Sequence, residues 1–190
     1  MTARATQEAM TNPPAVSDPG QELPGNAFWD FSLRVYAQPG VPEECLTLQE
    51  RLSLDVNLLL FAAYAGAKLG IALSGRDLAE LIAATEGWHV SIVRRLRATR
   101  TAMKAWSENG SDPLAASAAT LRQAVKQAEL DAERIEHDRM ALWALSRQRH
   151  AAGTGERAVE PNVRLVIDHY AKASGNSAAM PARLIAAALA

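Results

Sequence analysis

Val56–Leu73 reads VNLLLFAAYAGAKLGIAL, and the fold turns on how that stretch is taken. Its length approaches the minimum for a membrane span. Asn57, Gly66, Lys68 and Gly70 interrupt it, however, and Glu43, Glu44, Glu50, Arg51 and Asp55 crowd its approach. A helix buried at the centre of a protein core accounts for both features. Upstream, Pro42 suits a first helical position, with Glu43 and Glu44 favourable in the first turn. From there Cys45, Leu48, Leu52, Val56, Leu59, Ala63 and Ala67 recur at steps of three and four. The opposite face turns apolar beyond Val56 through Leu58, Phe61 and Tyr64. The pattern predicts one helix from about residue 42 to Gly70, entering the middle of a bundle.

The neighbouring segments are helical too. Asn26 offers an N-cap to AFWDFSLRVY (27–36), with Phe28, Phe31 and Val35 on one side, and Pro39-Gly40 supplies a turn. Ser74-Gly75-Arg76-Asp77 has capping-box spacing and opens a short third helix through Leu78, Leu81 and Ile82. A fourth begins near Glu86, where Trp88, Ile92, Leu96, Thr99, Met103 and Trp106 repeat at helical spacing. Asn109–Pro113 is a loop. The long helix that follows, about 114–149, is expected to turn Leu121, Val125, Ala128, Ala132, Ile135 and Leu142 inward.

The two ends read differently. Residues 1–25 are rich in Pro and Gly and poor in large apolar groups, so a disordered tail is expected. Residues 26–149 form the bundle domain, 150–160 a linker around Gly153-Thr154-Gly155, and 161–190 a loosely attached C-terminal helical extension carrying Val163, Val166, Ile167 and Tyr170. The fold class is therefore all-α, a helical bundle of about five core helices. An apolar share of 48%, carried mostly by Ala and Leu with few Val and Ile, favours helix over strand.

Twenty basic against 21 acidic residues give a net charge of -1, so overall charge selects neither nucleic acid nor an anionic membrane. Cys45 is the single cysteine, too few for an internal disulfide or a thiolate zinc site, and no Cys-His motif makes it a nucleophile. No apolar stretch follows Arg4, so no secretory leader is expected and the cytoplasm is the expected compartment. Gly66-x-x-x-Gly70 is helical small-residue spacing without the Lys-Ser/Thr of a phosphate loop. Gly-x-Ser-x-Gly is absent.

The strings FWDFSLRVY (28–36), LQERLSLDVNLLLF (48–61), WHVSIVRRLRATRTAMK (88–104) and VKQAELDAER (125–134), in that order, resemble a family of small bacterial proteins known only as a domain of unknown function. The resemblance covers roughly residues 26–145. It implies a helical domain of bacterial origin and names neither reaction nor ligand.

Candidate chemistry concentrates on two charged stripes. Arg97, Arg100 and Lys104 share one face of the fourth helix; Glu129, Glu133 and Glu136 share one face of the long helix. Consecutive helices joined by a short loop pack antiparallel, so the stripes are expected to flank a seam and pair across it, each surface pair contributing only ~0–1 kcal/mol. Alternatively, one stripe lines a groove, with Arg97 and Arg100 holding a phosphate or carboxylate. Residues 86–106 hold Arg94, Arg95, Arg97, Arg100 and Lys104 against Glu86, a local +4 that suits nucleic acid, but no helix-turn-helix spacing accompanies it. Glu133 and His137, at i and i+4 with Glu129 nearby, allow a metal-dependent enzyme. The Glu-x-x-His of a di-iron bundle is missing, because Arg134 stands three before His137. Asn57 either fixes helix register by a buried hydrogen bond or lies on the wall of an internal pocket beside Asp55 or Tyr64.

With no assembled active site in view, the expected function is a non-catalytic protein-binding or regulatory module. Its partner is another protein or a second copy, with neither membrane nor nucleic acid. Arg97, Arg100, Lys104, Glu129, Glu133 and Asn57 are the candidate binding residues. No catalytic residue, metal or cofactor is expected.

Overall fold

The structure is a computed structural model that describes residues 25–148 and 158–190. Among the described residues there is no strand. The helices are α1 (Gly25–Tyr36), α2 (Val41–Leu52), α3 (Val56–Ala67), α4 (Gly75–Trp88), α5 (Arg94–Ala102), α6 (Lys104–Ser107), α7 (Ala115–Gln148), α8 (Val159–Ser174) and α9 (Ala182–Leu189), with a π-helical turn, His89–Val93, between α4 and α5. The chain is an all-α bundle. None of its described helices is long and apolar enough to cross a membrane. The expected tail lies outside the described residues up to position 24, and so do residues 150–157 of the expected linker, whose last residues lead into α8.

α3 is the central helix, buried on every side from Asn57 to Gly66. It is not continuous with α2, as the uninterrupted periodicity suggested. Ser53 takes the left-handed conformation (φ 54°), and Asp55 starts a new helix by accepting the Asn57 backbone N–H at 2.9 Å. A competent N-cap thus overrode a helical repeat that ran straight through it. Gly70, at φ 65°, makes the left-handed turn that follows α3.

The C-terminal segment is no loose extension. α8 lies against α3 so closely that a Cβ on Gly66 would meet the Val159 nitrogen at 2.6 Å. Val159, Val163, Val166 and Ile167 are buried in the same core as α1 and α3. Asn162, also buried, donates to the carbonyls of Ala62 (3.1 Å) and Ile71 (2.8 Å) and accepts from the Leu73 N–H (2.8 Å). α9 buries Leu184 and Ala188, and the Glu44 carboxylate accepts the free N–H groups of Arg183 and Leu184 at its start. The helical extension expected from residue 161 begins two residues earlier, at Val159.

Ser74 and Asp77 form the reciprocal capping box that opens α4. The break expected before Glu86 is absent; α4 runs into α5 through the π turn, where the Arg94 N–H reaches back to the His89 carbonyl. The inward line is Leu81, Thr85, His89, Val93 and Arg97, rather than Trp88, Ile92, Leu96, Thr99, Met103 and Trp106; Ile92, Thr99 and Trp106 are exposed. Steps of four overshoot an α-helical turn by about 40° each. One wider turn absorbs part of that drift and keeps His89 and Arg97 on the bundle side.

Candidate functional site

The inner face of α7 is polar. Glu129, Ala132, Glu136, His137, Met140, Ala141 and Ala144 are buried, whereas Leu121, Ile135 and Leu142, expected inside, face solvent. In this Ala-rich helix two faces compete for the core. The acidic face takes it because α5, α3 and the π turn present matched donors there. A carboxylate buried with a charge-assisted partner is tolerated, whereas an unpaired one is not.

At the α5 end, Arg97 reaches three acceptors: Glu129 at 3.0 Å, Glu133 at 2.6 Å and Gln49 of α2 at 2.9 Å. Arg100 binds Glu129 through Nε at 2.5 Å. Burial disfavours the Glu129 carboxylate, but its bonds to Arg100 and Arg97 outweigh that and hold its pKa below the usual value. Burial prevails at Glu133, which is raised in spite of Arg97. The pairs are therefore embedded, not the surface pairs the spacing suggested. Lys104 takes no part; its ammonium lies 4.0 Å from Glu108 at the surface. Arg97 and Arg100 direct their hydrogen bonds at Glu129, Glu133 and Gln49 rather than at an open phosphate-binding face. They border a cavity of about 430 Å³ whose walls include Trp29, Leu33, Tyr36 and Leu46.

His137 does not assemble with Glu129 and Glu133 as a metal face. Its Nδ1 meets the Glu133 carbonyl (2.8 Å), its Nε2 meets Ser32 Oγ (3.2 Å), and its ring stacks on Phe28. Burial holds its pKa below the ordinary histidine value, keeping a neutral ring in the core. Cys45 is buried as well, which pushes its thiol up to about 12 and leaves it inert.

One cluster escaped the sequence reading. Glu136, 0% exposed, turns away from the arginines toward Asn57 and His89. The Asn57 amide donates to Glu136 Oε2 at 2.7 Å, while the Asn57 backbone N–H holds Asp55 Oδ1. His89 Nδ1 lies 3.0 Å from Glu136 Oε1 and 3.4 Å from Asp55 Oδ2. Asn57 thus both fixes register and borders an ionisable cluster. The signal available in the sequence was Asp55-Val56-Asn57, two polar groups at the entrance of an apolar helix.

On its outer side α7 carries a second feature. Leu114, at its threshold, and Leu121, Ala128, Ile135 and Leu142 along it are spaced by seven and exposed, the four large ones at 67%, 59%, 43% and 55%. From Arg94 through Ala128 no residue is buried, so α5, α6 and the first half of α7 form an arm outside the core.

The family match covers residues 27–140 and so spans both clusters and most of α7. The chain belongs to the family described as protein of unknown function (DUF2390). No curated protein and no solved structure matches it. The DUF2390 region contains Asp55, Asn57, His89, Arg97 and the whole acidic stripe, while α8 and α9, which close the core around α3, lie beyond it.

Proposed function

We propose that the chain is a protein-binding module that pairs the outer face of α7 with a helix of its partner. The observation that carries this reading is the exposed line Leu114–Leu121–Ala128–Ile135–Leu142. Strict seven-residue spacing keeps one edge of a helix facing a second helix over the length of a coiled coil. The line runs for about 42 Å at 1.5 Å per residue. Ala118 and Val125 fall at the intervening four-residue positions of its first half, where the helix stands clear of the core, while the next such positions hold buried Ala132 and exposed Arg139; Asp131, Arg134 and Asp138 border the line with both charge signs. An aligned row of large apolar side chains in water differs from scattered exposed leucines and marks a contact surface. Trp106, on α6 of the same arm, is exposed as well.

The second copy of the chain is the first partner to test. Sedimentation equilibrium of the full chain is expected to show a dimer, and Leu121→Glu with Ile135→Glu to return it to monomer without loss of helical circular dichroism. If the wild type is a monomer, a photo-crosslinker at position 121 in the native host is expected to trap a protein that one at position 164, on exposed α8 surface, does not. A monomer that gives the same adducts at both positions overturns the reading.

A further inference from the structure

The arginines neutralise one half of the α7 acidic stripe, but the other half is supplied differently. Asp55, 6% exposed, and Glu136, fully buried, have His89 as their one cationic partner within 4.0 Å among the described residues. Imidazole carries at most one positive charge, and its Nδ1 proton can be given to one acceptor at a time. Two ionised carboxylates facing one imidazole inside a protein leave a negative charge without a counterion, which is costly.

The directions of the donor atoms fit a cation. Asn57 occupies one oxygen of each carboxylate, Asp55 Oδ1 through its backbone and Glu136 Oε2 through its side chain. Asp55 Oδ2 and Glu136 Oε1 are thereby turned toward His89 Nδ1, and the three ligand atoms lie within 4.8 Å of one another. Ligands about 2.0–2.1 Å from one tetrahedral ion sit roughly 3.3 Å apart. The two separations to His89 Nδ1, 3.0 and 3.4 Å, bracket that value. The three donors come from three places that the fold fixes independently: the N-cap of α3, the π turn and the middle of α7. Asn57 plays the part that outer hydrogen-bond partners play at metal sites, holding each carboxylate's orientation.

We propose that Asp55 Oδ2, His89 Nδ1 and Glu136 Oε1 bind one divalent transition-metal ion of the class that accepts mixed nitrogen and oxygen ligands, Zn(II), Mn(II) or Co(II). Two carboxylates and one neutral imidazole make the bound site electrically neutral. A cavity of about 80 Å³, lined by Ser53, Asp55, Thr85, Glu86, His89 and Tyr170, adjoins it and has room for water to complete the coordination shell. The α7 seam has no part in the argument, and the two proposals stand or fall separately.

The test uses the full chain, stripped with chelator and dialysed at pH 7.5, titrated in turn with Zn(II), Mn(II) and Co(II) salts. Calorimetry and elemental analysis are expected to give one ion per chain for at least one metal. His89→Gln and Glu136→Gln are expected to weaken binding by about 100-fold or more, while Glu133→Gln leaves it unchanged. Because Glu136→Gln alters a buried bond, the wild type supplies a second readout that does not depend on the folding of a variant. Metal addition should shift the imidazole resonances of His89 and leave those of His137 and His169 in place. Absence of stoichiometric binding for all three metals, binding that survives His89→Gln, or shifts confined to other histidines overturns the proposal.

Discussion

Arg97 shows what a single side chain contributes to this architecture. Its planar guanidinium serves Glu129, Glu133 and Gln49 at once, joining α5, α7 and α2 through separate nitrogens. Lysine, with one compact ammonium, cannot span those acceptors. Arg97→Ala would leave Glu129, already 5% exposed, with Arg100 alone and Glu133 with no guanidinium, at a cost of about 3 kcal/mol. Combining it with Glu129→Ala in a double-mutant cycle should reveal a coupling energy of about 1–3 kcal/mol by urea denaturation. Additive effects would mean that the pair contributes nothing as a pair. The partners were legible in the sequence, since spacings of three, four and seven put each set on one face. Their burial was not. Periodicity says which residues share a face and leaves open which of two faces the rest of the chain will cover.

At the scale of elements, two devices set the geometry, and neither announces itself as a periodic pattern. The first is the close crossing of α8 over α3 at Gly66. There an added Cβ would meet backbone, Val159 N at 2.6 Å and the Ala158 carbonyl carbon at 2.8 Å, which unlike a flexible side-chain tip cannot step aside. Gly66→Ala is therefore expected to destabilise the fold by about 1–3 kcal/mol, despite alanine's better helix propensity, whereas Gly87→Ala, with open space around it, should be neutral or stabilising. Equal thermal midpoints for the two variants would show that the crossing is not tight. The second device is the π turn. Deleting exposed Val90 would remove the extra residue of the wide turn and leave one regular helix in which Arg97 and Arg100 still face Glu129 and Glu133. Deleting exposed Arg95 from regular helix instead rotates everything after it by about 100° and swings both arginines away from their carboxylates. Urea midpoints are expected to fall far more for the Arg95 deletion than for the Val90 deletion. The sequence pointed to helices in all these places. It missed the break at Ser53 and the join at His89 because both are decided by one residue's hydrogen bond or one extra residue per turn.

For the whole molecule, the unequal halves of the acidic stripe set how stability responds to pH. Burial and then Glu136 raise Asp55 to about 7; His89 is raised because its bond to Glu136 and the charge of Asp55 outweigh burial and Arg97. Both groups therefore hold protons in the folded chain that the unfolded chain has released. Stability falls with rising pH wherever the native state binds more protons, so their contribution is present in mild acid and lost as pH climbs through about 7. His137 acts the other way, since burial lowers it, but its influence is complete once pH passes the ordinary histidine range. Glu129 and Asp77, both lowered, withdraw their support only in strong acid. In chelator, urea denaturation should accordingly show stability declining between pH 6.5 and 8. A metal bound by Asp55, His89 and Glu136 competes with those same protons, so its stabilisation must grow over the same interval and flatten or reverse the decline. Stability that rises from pH 6.5 to 8 in the presence of chelator would mean that Asp55 and His89 do not keep their protons in the folded chain. A decline in chelator that added Zn(II), Mn(II) and Co(II) all leave untouched would place protons, not metal, at the centre of the bundle.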